Sequence, residues 1–198
     1  MTFLILDTEY TSWEGAHLRN WSGQGEYKEL VQLSCIKMRD IRTFNGSEFL
    51  SLYTKPKLNP VLSDYFQSLT GINQQLINEV GLEIIDAIQL FSDFSEGLHC
   101  FSWENDIAIL EENIKLLSTE PSLCIKKHTD IRLLFEHFGV HCSHLSSGEI
   151  DDQIPGASII SPGNRHNALS DCVSIVSAIN KLGCKYGFDN VVDVMSRM

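Results

Sequence analysis

The chain opens on an apolar run, Phe3-Leu4-Ile5-Leu6, that passes into Asp7-Thr8-Glu9-Tyr10 without a break. Such a run reads as a buried strand. Its side chains alternate between two faces, so Asp7 and Glu9 emerge on one side, where core gives way to solvent. The polar, Gly- and Trp-containing segment 12–29 reads as a long loop, and residues 30–38 and 49–54 as two more strands able to form a meander with the first. Pro56 and Pro60 end this sheet-forming part. Beyond them the period changes. Ser63 caps a helix that runs through Leu69 and stops at Thr70-Gly71, and residues 82–94 carry apolar positions at helical spacing. Residues 98–102 form a short strand, followed by a helix from about Asp106 to Leu117. Residues 122–125 read as a fifth strand, 131–138 as a helix, and 168–182 as a long helix with a helical tail at 183–198. Strands first, then strands alternating with helices, predict an α/β fold: a mixed sheet of about five strands flanked by helices. No internal repeat, low-complexity tract or linker interrupts the pattern, so residues 1–198 read as one domain.

Composition agrees with that frame. With 198 residues, 43% of them apolar and 21% charged, the chain can bury a sizeable core. Its longest apolar runs fall far short of the roughly 20 residues that span a bilayer, and its start lacks the basic region and small-residue cleavage site of a signal peptide. A cytoplasmic protein is expected, with no membrane partner. Six cysteines without a Cys-x-x-Cys pair fit free, mostly buried thiols in a reducing compartment.

The net charge of -11 works against a nucleic-acid partner, because affinity for phosphates ordinarily comes from clustered Lys and Arg. Carboxylates gathered around metal ions change that account, since bound cations are often the largest local charges in a site. Asp7-x-Glu9 alone does not establish such a site: with 26 acidic residues, about one Asp-x-Glu arises by chance. It needs partners downstream. Asp106 directly follows a short strand, at the sheet edge where α/β proteins place ligands. Taken alone, it reads better as a helix-start Asp facing the macrodipole, and nearby Glu104 as a surface carboxylate. The second partner set is Arg165-His166-Asn167-Ala168-Leu169-Ser170-Asp171, where Asp171 in the first turns of a helix and His166 on the preceding connection can approach one point.

In order, Asp7-x-Glu9, an Asp after a short strand, and His166-x-Ala168-x-x-Asp171 entering a carboxy-terminal helix resemble the DEDDh exonucleases of the RNase-H-like superfamily. The resemblance covers residues 3–182 and is most specific at His166-Asn167-Ala168-Leu169-Ser170-Asp171. Leu69-Thr70-Gly71-Ile72 and Asp130-Ile131-Arg132 echo the family's middle region. The segment with Trp13, Glu14, Gly15 and Trp21 departs from it, since many members have a short Thr-Thr-Gly turn there. The resemblance implies an RNase-H-like fold and a 3′-to-5′ exonuclease acting on single-stranded DNA or RNA ends and releasing nucleoside 5′-monophosphates. It implies two Mg2+ or Mn2+ ions, with Asp7 bridging them, Glu9 and Asp171 completing one site, Asp106 reaching the other, and His166 as general base. Hard, oxygen-ligated ions suit carboxylates.

Two rivals stand beside this reading: a catalytically silent nucleic-acid or partner-binding module, and an enzyme that clears short oligoribonucleotides. Further candidates for substrate contact are Thr8, Tyr10, Trp13 and Trp21, the aromatic ones by stacking on bases, and Arg165, Lys55 and Lys57 on phosphates. The loop position favours stacking for Trp13, plain packing against the domain is the alternative for Tyr10 and Trp21, and solvated surface that for Arg165 and the two lysines. His137, His141, Cys142 and His144 crowd one helix end without the second spaced pair of a structural zinc site, and zinc is not expected there. Oligomeric state is open, a homo-oligomer included.

Overall fold

The computed structural model describes residues 1–117, 123–125, 127–160 and 163–198. Three strands, β1 (Phe3–Tyr10), β2 (Leu30–Met38) and β3 (Glu48–Tyr53), form the expected antiparallel meander. Two short strands, β4 (His99–Ser102) and β5 (Lys127–Asp130), add to the other side of β1 in parallel, so the order across the sheet is β3-β2-β1-β4-β5. The helices are α1 (Asp64–Thr70), α2 (Gln74–Val80), α3 (Ile84–Ser95), α4 (Asp106–Leu116), α5 (Arg132–His137), α6 (Ile150–Gln153), α7 (Ala168–Tyr186) and α8 (Phe188–Arg197).

Strand alternation on β1 divides the interior. Phe3 and Ile5 face a core shared with α7, α8 and α5, whereas Leu4 and Leu6 face one built by α3 and α4. Asp7 and Glu9 continue the first row. They therefore point to the α7 side, and the helix that carries Asp171 covers them. Helix α7 is held there by Gln32 of β2, whose Oε1 accepts the Ala168 backbone N–H at 3.0 Å, and by Asn167, whose side chain caps the helix through Ser170 N.

Two expectations are corrected. The fifth strand lies at Lys127–Asp130 instead of 122–125; Ser122 falls outside the described residues, and Leu123 and Ile125 are irregular chain packed against the second core. An apolar triplet mimicked a buried strand, while the real one is a polar edge strand whose His128 and Thr129 side chains bond Ser102 and His99 of β4. The helix expected from Leu82 begins at Ile84, because Leu82 is taken up in a parallel bridge with Thr54. Helix α2, a 3-10 turn at Ser147–Glu149 and α6 had no counterpart in the pattern reading; each is too short to show a period. Of the six free cysteines, Cys35, Cys100, Cys142 and Cys172 are buried, and Cys124 and Cys184 are exposed.

Candidate metal centre and active site

Four carboxylates arrive from three elements. β1 ends in Asp7 and Glu9; α4 begins with Asp106, its N-terminus capped by Asn105; α7 brings Asp171 in its first turns. One carboxylate oxygen each of Asp7, Glu9 and Asp171 lie within 4.8 Å of one another, the one such His/Cys/Asp/Glu grouping among the described residues. Asp106 stands beside them on the opposite face of β1, joined through Thr8, whose Oγ1 donates to Asp106 Oδ1 at 2.5 Å. Ser102 Oγ accepts the Asp106 backbone N–H at 3.3 Å. Both aspartates at helix starts face a positive dipole end, which favours an anion.

The remaining wall is the 3-10 turn. Ser146 and Glu149 form a capping box, which turns Ser147 inward so that its Oγ donates to Asp171 Oδ2 at 3.1 Å. Gly148 lies against the other oxygen. A Cβ there would come 2.6 Å from Asp171 Oδ1, so only glycine lets the turn approach this closely. His166 sits at φ 58° on the turn before α7, half-buried, lining the same cleft as Asp7 and Asp171. Burial holds its imidazole below the ordinary value, opposed by Glu149 and reinforced by Arg165.

Electrostatically the cluster is unfinished. Desolvation first, and the neighbouring carboxylates second, raise Asp7 and Glu9 well above the usual carboxylate range. Burial raises Asp106 to about 7 and Asp171 to about 6, against the lowering effect of hydrogen bonds from Thr8 and Ser102 to the former and from Ser147 and the His166 backbone to the latter. Asp106 Oδ2 and Asp171 Oδ1 are buried with no hydrogen-bond partner. Buried carboxylate oxygens of this kind are costly unless a cation meets them, and an all-oxygen donor set fits a hard divalent ion.

The RNase T exonuclease family matches residues 4–178. This chain belongs to that family. Among curated relatives, the 3'-5' exonuclease eri1 of Schizosaccharomyces pombe is 37% identical over 98 residues, covering 50% of this chain and 28% of its own length. ERI1 exoribonuclease 2 of Xenopus laevis is 21% identical over 206 residues, covering 91% of this chain and 28% of its own. The chain thus spans under a third of the length of these relatives. In fold it is similar to the nuclease domain of 3'hExo, a DEDDh family member bound to rAMP, with TM-score 0.76, 18% identity, and coverage of 95% of this chain and 94% of that one. It is also similar to E. coli ExoI in a zinc-bound complex with single-stranded DNA, with TM-score 0.70, 12% identity, and coverage of 99% and 43%. The RNase-H-like fold expected from the motifs is the fold observed.

In this exonuclease family member a cleft of about 400 Å³ opens beside the carboxylates, lined by Tyr10, His17, Trp21, Tyr65, Leu69 and His166 among others. It adjoins a second of about 600 Å³, reached past Asp106, Glu104 and Arg165. Thr8 and Tyr10 line both. Of the three aromatic candidates, Tyr10 and Trp21 line the cleft and Trp13 lies outside the lining. The reason is a tight local fold, in which Ala16 is buried and the chain reverses so that Trp21 Nε1 donates to Thr11 O at 3.0 Å and its ring packs 5.3 Å from Tyr10. His17, Tyr65, Ser147 and Gly148 escaped the reading of the sequence, and Leu69 figured there only in the Leu69-Thr70-Gly71-Ile72 echo. For Ser147 and Gly148 a signal was present in the Ser146-x-x-Glu149 capping box. Arg165 is ion-paired with Glu149 and Asp152, Lys57 with Glu83, and Glu104 with Arg132. Of the clustered histidines and cysteine, Cys142 is in the core and His137 packs edge-on against Phe138.

Proposed function

We propose that this chain is a metal-dependent 3′-to-5′ exonuclease that acts on single-stranded DNA or RNA in the cytoplasm and releases nucleoside 5′-monophosphates. The observation that carries the reading is the convergence of Asp7, Glu9 and Asp171, with Asp106 beside them and buried carboxylate oxygens left unpartnered, next to a histidine in an open cleft. In this reading Asp7, Glu9, Asp106 and Asp171 would hold the divalent ions, Mg2+ or Mn2+. Such ions, when bound, neutralise the phosphodiester and lower the pKa of water.

The protein's own groups do the rest. His166 accepts a proton from the attacking water, and burial favours the neutral imidazole that this step needs. The water oxygen bonds to phosphorus as the bond to the preceding nucleotide's 3′ oxygen breaks. That oxygen takes a proton from solvent water, His166 gives its own proton back to solvent, and the released nucleotide keeps its phosphate on the 5′ side. Tyr10 and Trp21 offer faces for a terminal base, where stacking contributes roughly 1–3 kcal/mol and tolerates any sequence. The relatives' names support 3′-to-5′ polarity, and neighbours solved with rAMP and with single-stranded DNA support an open choice of sugar.

The test uses 5′-labelled single-stranded DNA, RNA and duplexes with Mg2+ or Mn2+, beside the Asp7→Asn variant. A ladder shortening from the 3′ end, with 5′-monophosphates as product, is expected from the wild type alone. Internal cuts, or an equally active variant, overturn the reading.

A further inference from the structure

We propose that Arg165 is a positioning residue that holds the His166 turn against the wall of the cleft and does not contact substrate phosphate. The inference rests on His166 being the base, as proposed above. The guanidinium spans two carboxylates: Nη1 donates to Glu149 Oε1 at 3.0 Å and Nη2 to Asp152 Oδ2 at 2.8 Å. A planar fork suits such a bridge, and both of its terminal nitrogens are engaged. The two anions also leave the immediate neighbourhood negative, which disfavours an incoming phosphate.

What the bridge joins is the point. Glu149 uses its second oxygen to cap the 3-10 turn at Ser146 N, 2.9 Å away, and that turn presses Ser147 and Gly148 against Asp171. A Cβ on Gly148 would also meet Arg165 Cγ at 3.3 Å, so the arginine stem packs on the same turn. Ser158 is tied to the same helix: its Oγ donates to Asp151, whose backbone O accepts from Lys181 of α7. Ser158 and Arg165 are therefore both stitched to one short helix. His166 follows directly in the left-handed region, which non-glycine residues avoid, and Asn167 then caps α7. Arg165 on one side and the Asn167 cap on the other hold that conformation.

The bridging groups are substantially exposed, so their pairing contributes little to global stability and the variants should fold. The experiment compares wild type, Arg165→Ala, Asp152→Asn and the double variant in steady-state cleavage of labelled single strands, and in hydrogen exchange of peptides carrying residues 163–168. The expected result is kcat three- to tenfold lower in each single variant with KM within twofold, a double variant no worse than Arg165→Ala, and faster exchange in all three. A raised KM at constant kcat in Arg165→Ala, or a lower KM in Asp152→Asn, returns Arg165 to phosphate binding and overturns the proposal. Unchanged exchange overturns it as well. A wild type inactive on every substrate defeats the exonuclease reading instead, and the exchange result then decides the clamp by itself.

Discussion

Helix α7 carries two buried charged side chains whose surroundings differ. Lys181, in its later turns, meets Asp151 with Nζ 2.9 Å from Oδ1, and also donates to the Asp151 backbone O; both side chains are at most 6% exposed. Asp171, at the other end, is equally buried but faces Asp7, Glu9 and a serine, with no Lys or Arg pairing to it among the described residues. Glu29 offers a third case. Fully buried, it is satisfied by the backbone N–H groups of Lys57, Leu58 and Asn59. Where a buried carboxylate serves the fold, the chain supplies its counter-charge or a ring of amides. At the end of β1 it supplies neither, and burial and mutual repulsion hold those carboxyls high. In the proposed reading, cations from outside complete that cluster.

The largest effect should come from breaking the completed pair. Lys181→Met strands Asp151 and is expected to remove about 3–5 kcal/mol of stability, read by urea denaturation without metal. Asp171→Asn under the same conditions should cost nothing or stabilise. Equal losses from the two would erase the distinction.

Next are the effects on turnover. Asp7→Asn and His166→Ala should fold normally yet lower kcat at least a hundredfold, about 2.7 kcal/mol of transition-state stabilisation. Near-wild-type rates in either purified variant would remove that residue from the site.

Metal should sharpen the contrast through stability. A hundredfold excess of Mn2+ over its Kd stabilises a folded protein by about 2.7 kcal/mol, and Asp7→Asn should lose most of that gain while Lys181→Met keeps it. The sign of the pH dependence follows from raised carboxyl pKa values. Asp171 at about 6 and Asp106 at about 7 bind protons more tightly folded than unfolded, where carboxyls titrate near 4. Their contribution to stability is full below about pH 4 and is lost as pH rises through about 6 to 7. The metal-free Tm should therefore fall over that range, and Mn2+ should raise it more at pH 8 than at pH 5. A metal-induced shift independent of pH would contradict this.

The smallest expected effect lies in the cleft beyond the carboxylates. Trp21→Ala should raise KM about fivefold, roughly 1 kcal/mol of lost stacking, with kcat within twofold. The same change in Trp13 should leave KM unaltered, and the reverse result would exchange their roles.

Much of this was legible along the chain. β1 and its Asp7-Thr8-Glu9 end, the meander, and the starts of α4 and α7 follow from short-range alternation and capping, which the residues carry themselves. Short or edge elements were not: Lys127–Asp130 is too polar to announce itself, and residues 147–153 too brief to show a period.

The sequence by itself determined that Asp7 and Glu9 share a face, that Asp106 and Asp171 open helices, and that His166 precedes one, because side-chain direction within an element depends on backbone geometry alone. Only the tertiary structure decided that Asp171 descends on Asp7 and Glu9 and not elsewhere. That meeting depends on Gln32 seizing the start of α7 and Gly148 admitting a turn against Asp171, contacts between positions far apart in the chain. It likewise decided that Trp21, not Trp13, faces the cleft, and that Arg165 is met by carboxylates. Local pattern sets where a side chain points; packing across the chain sets what it finds there.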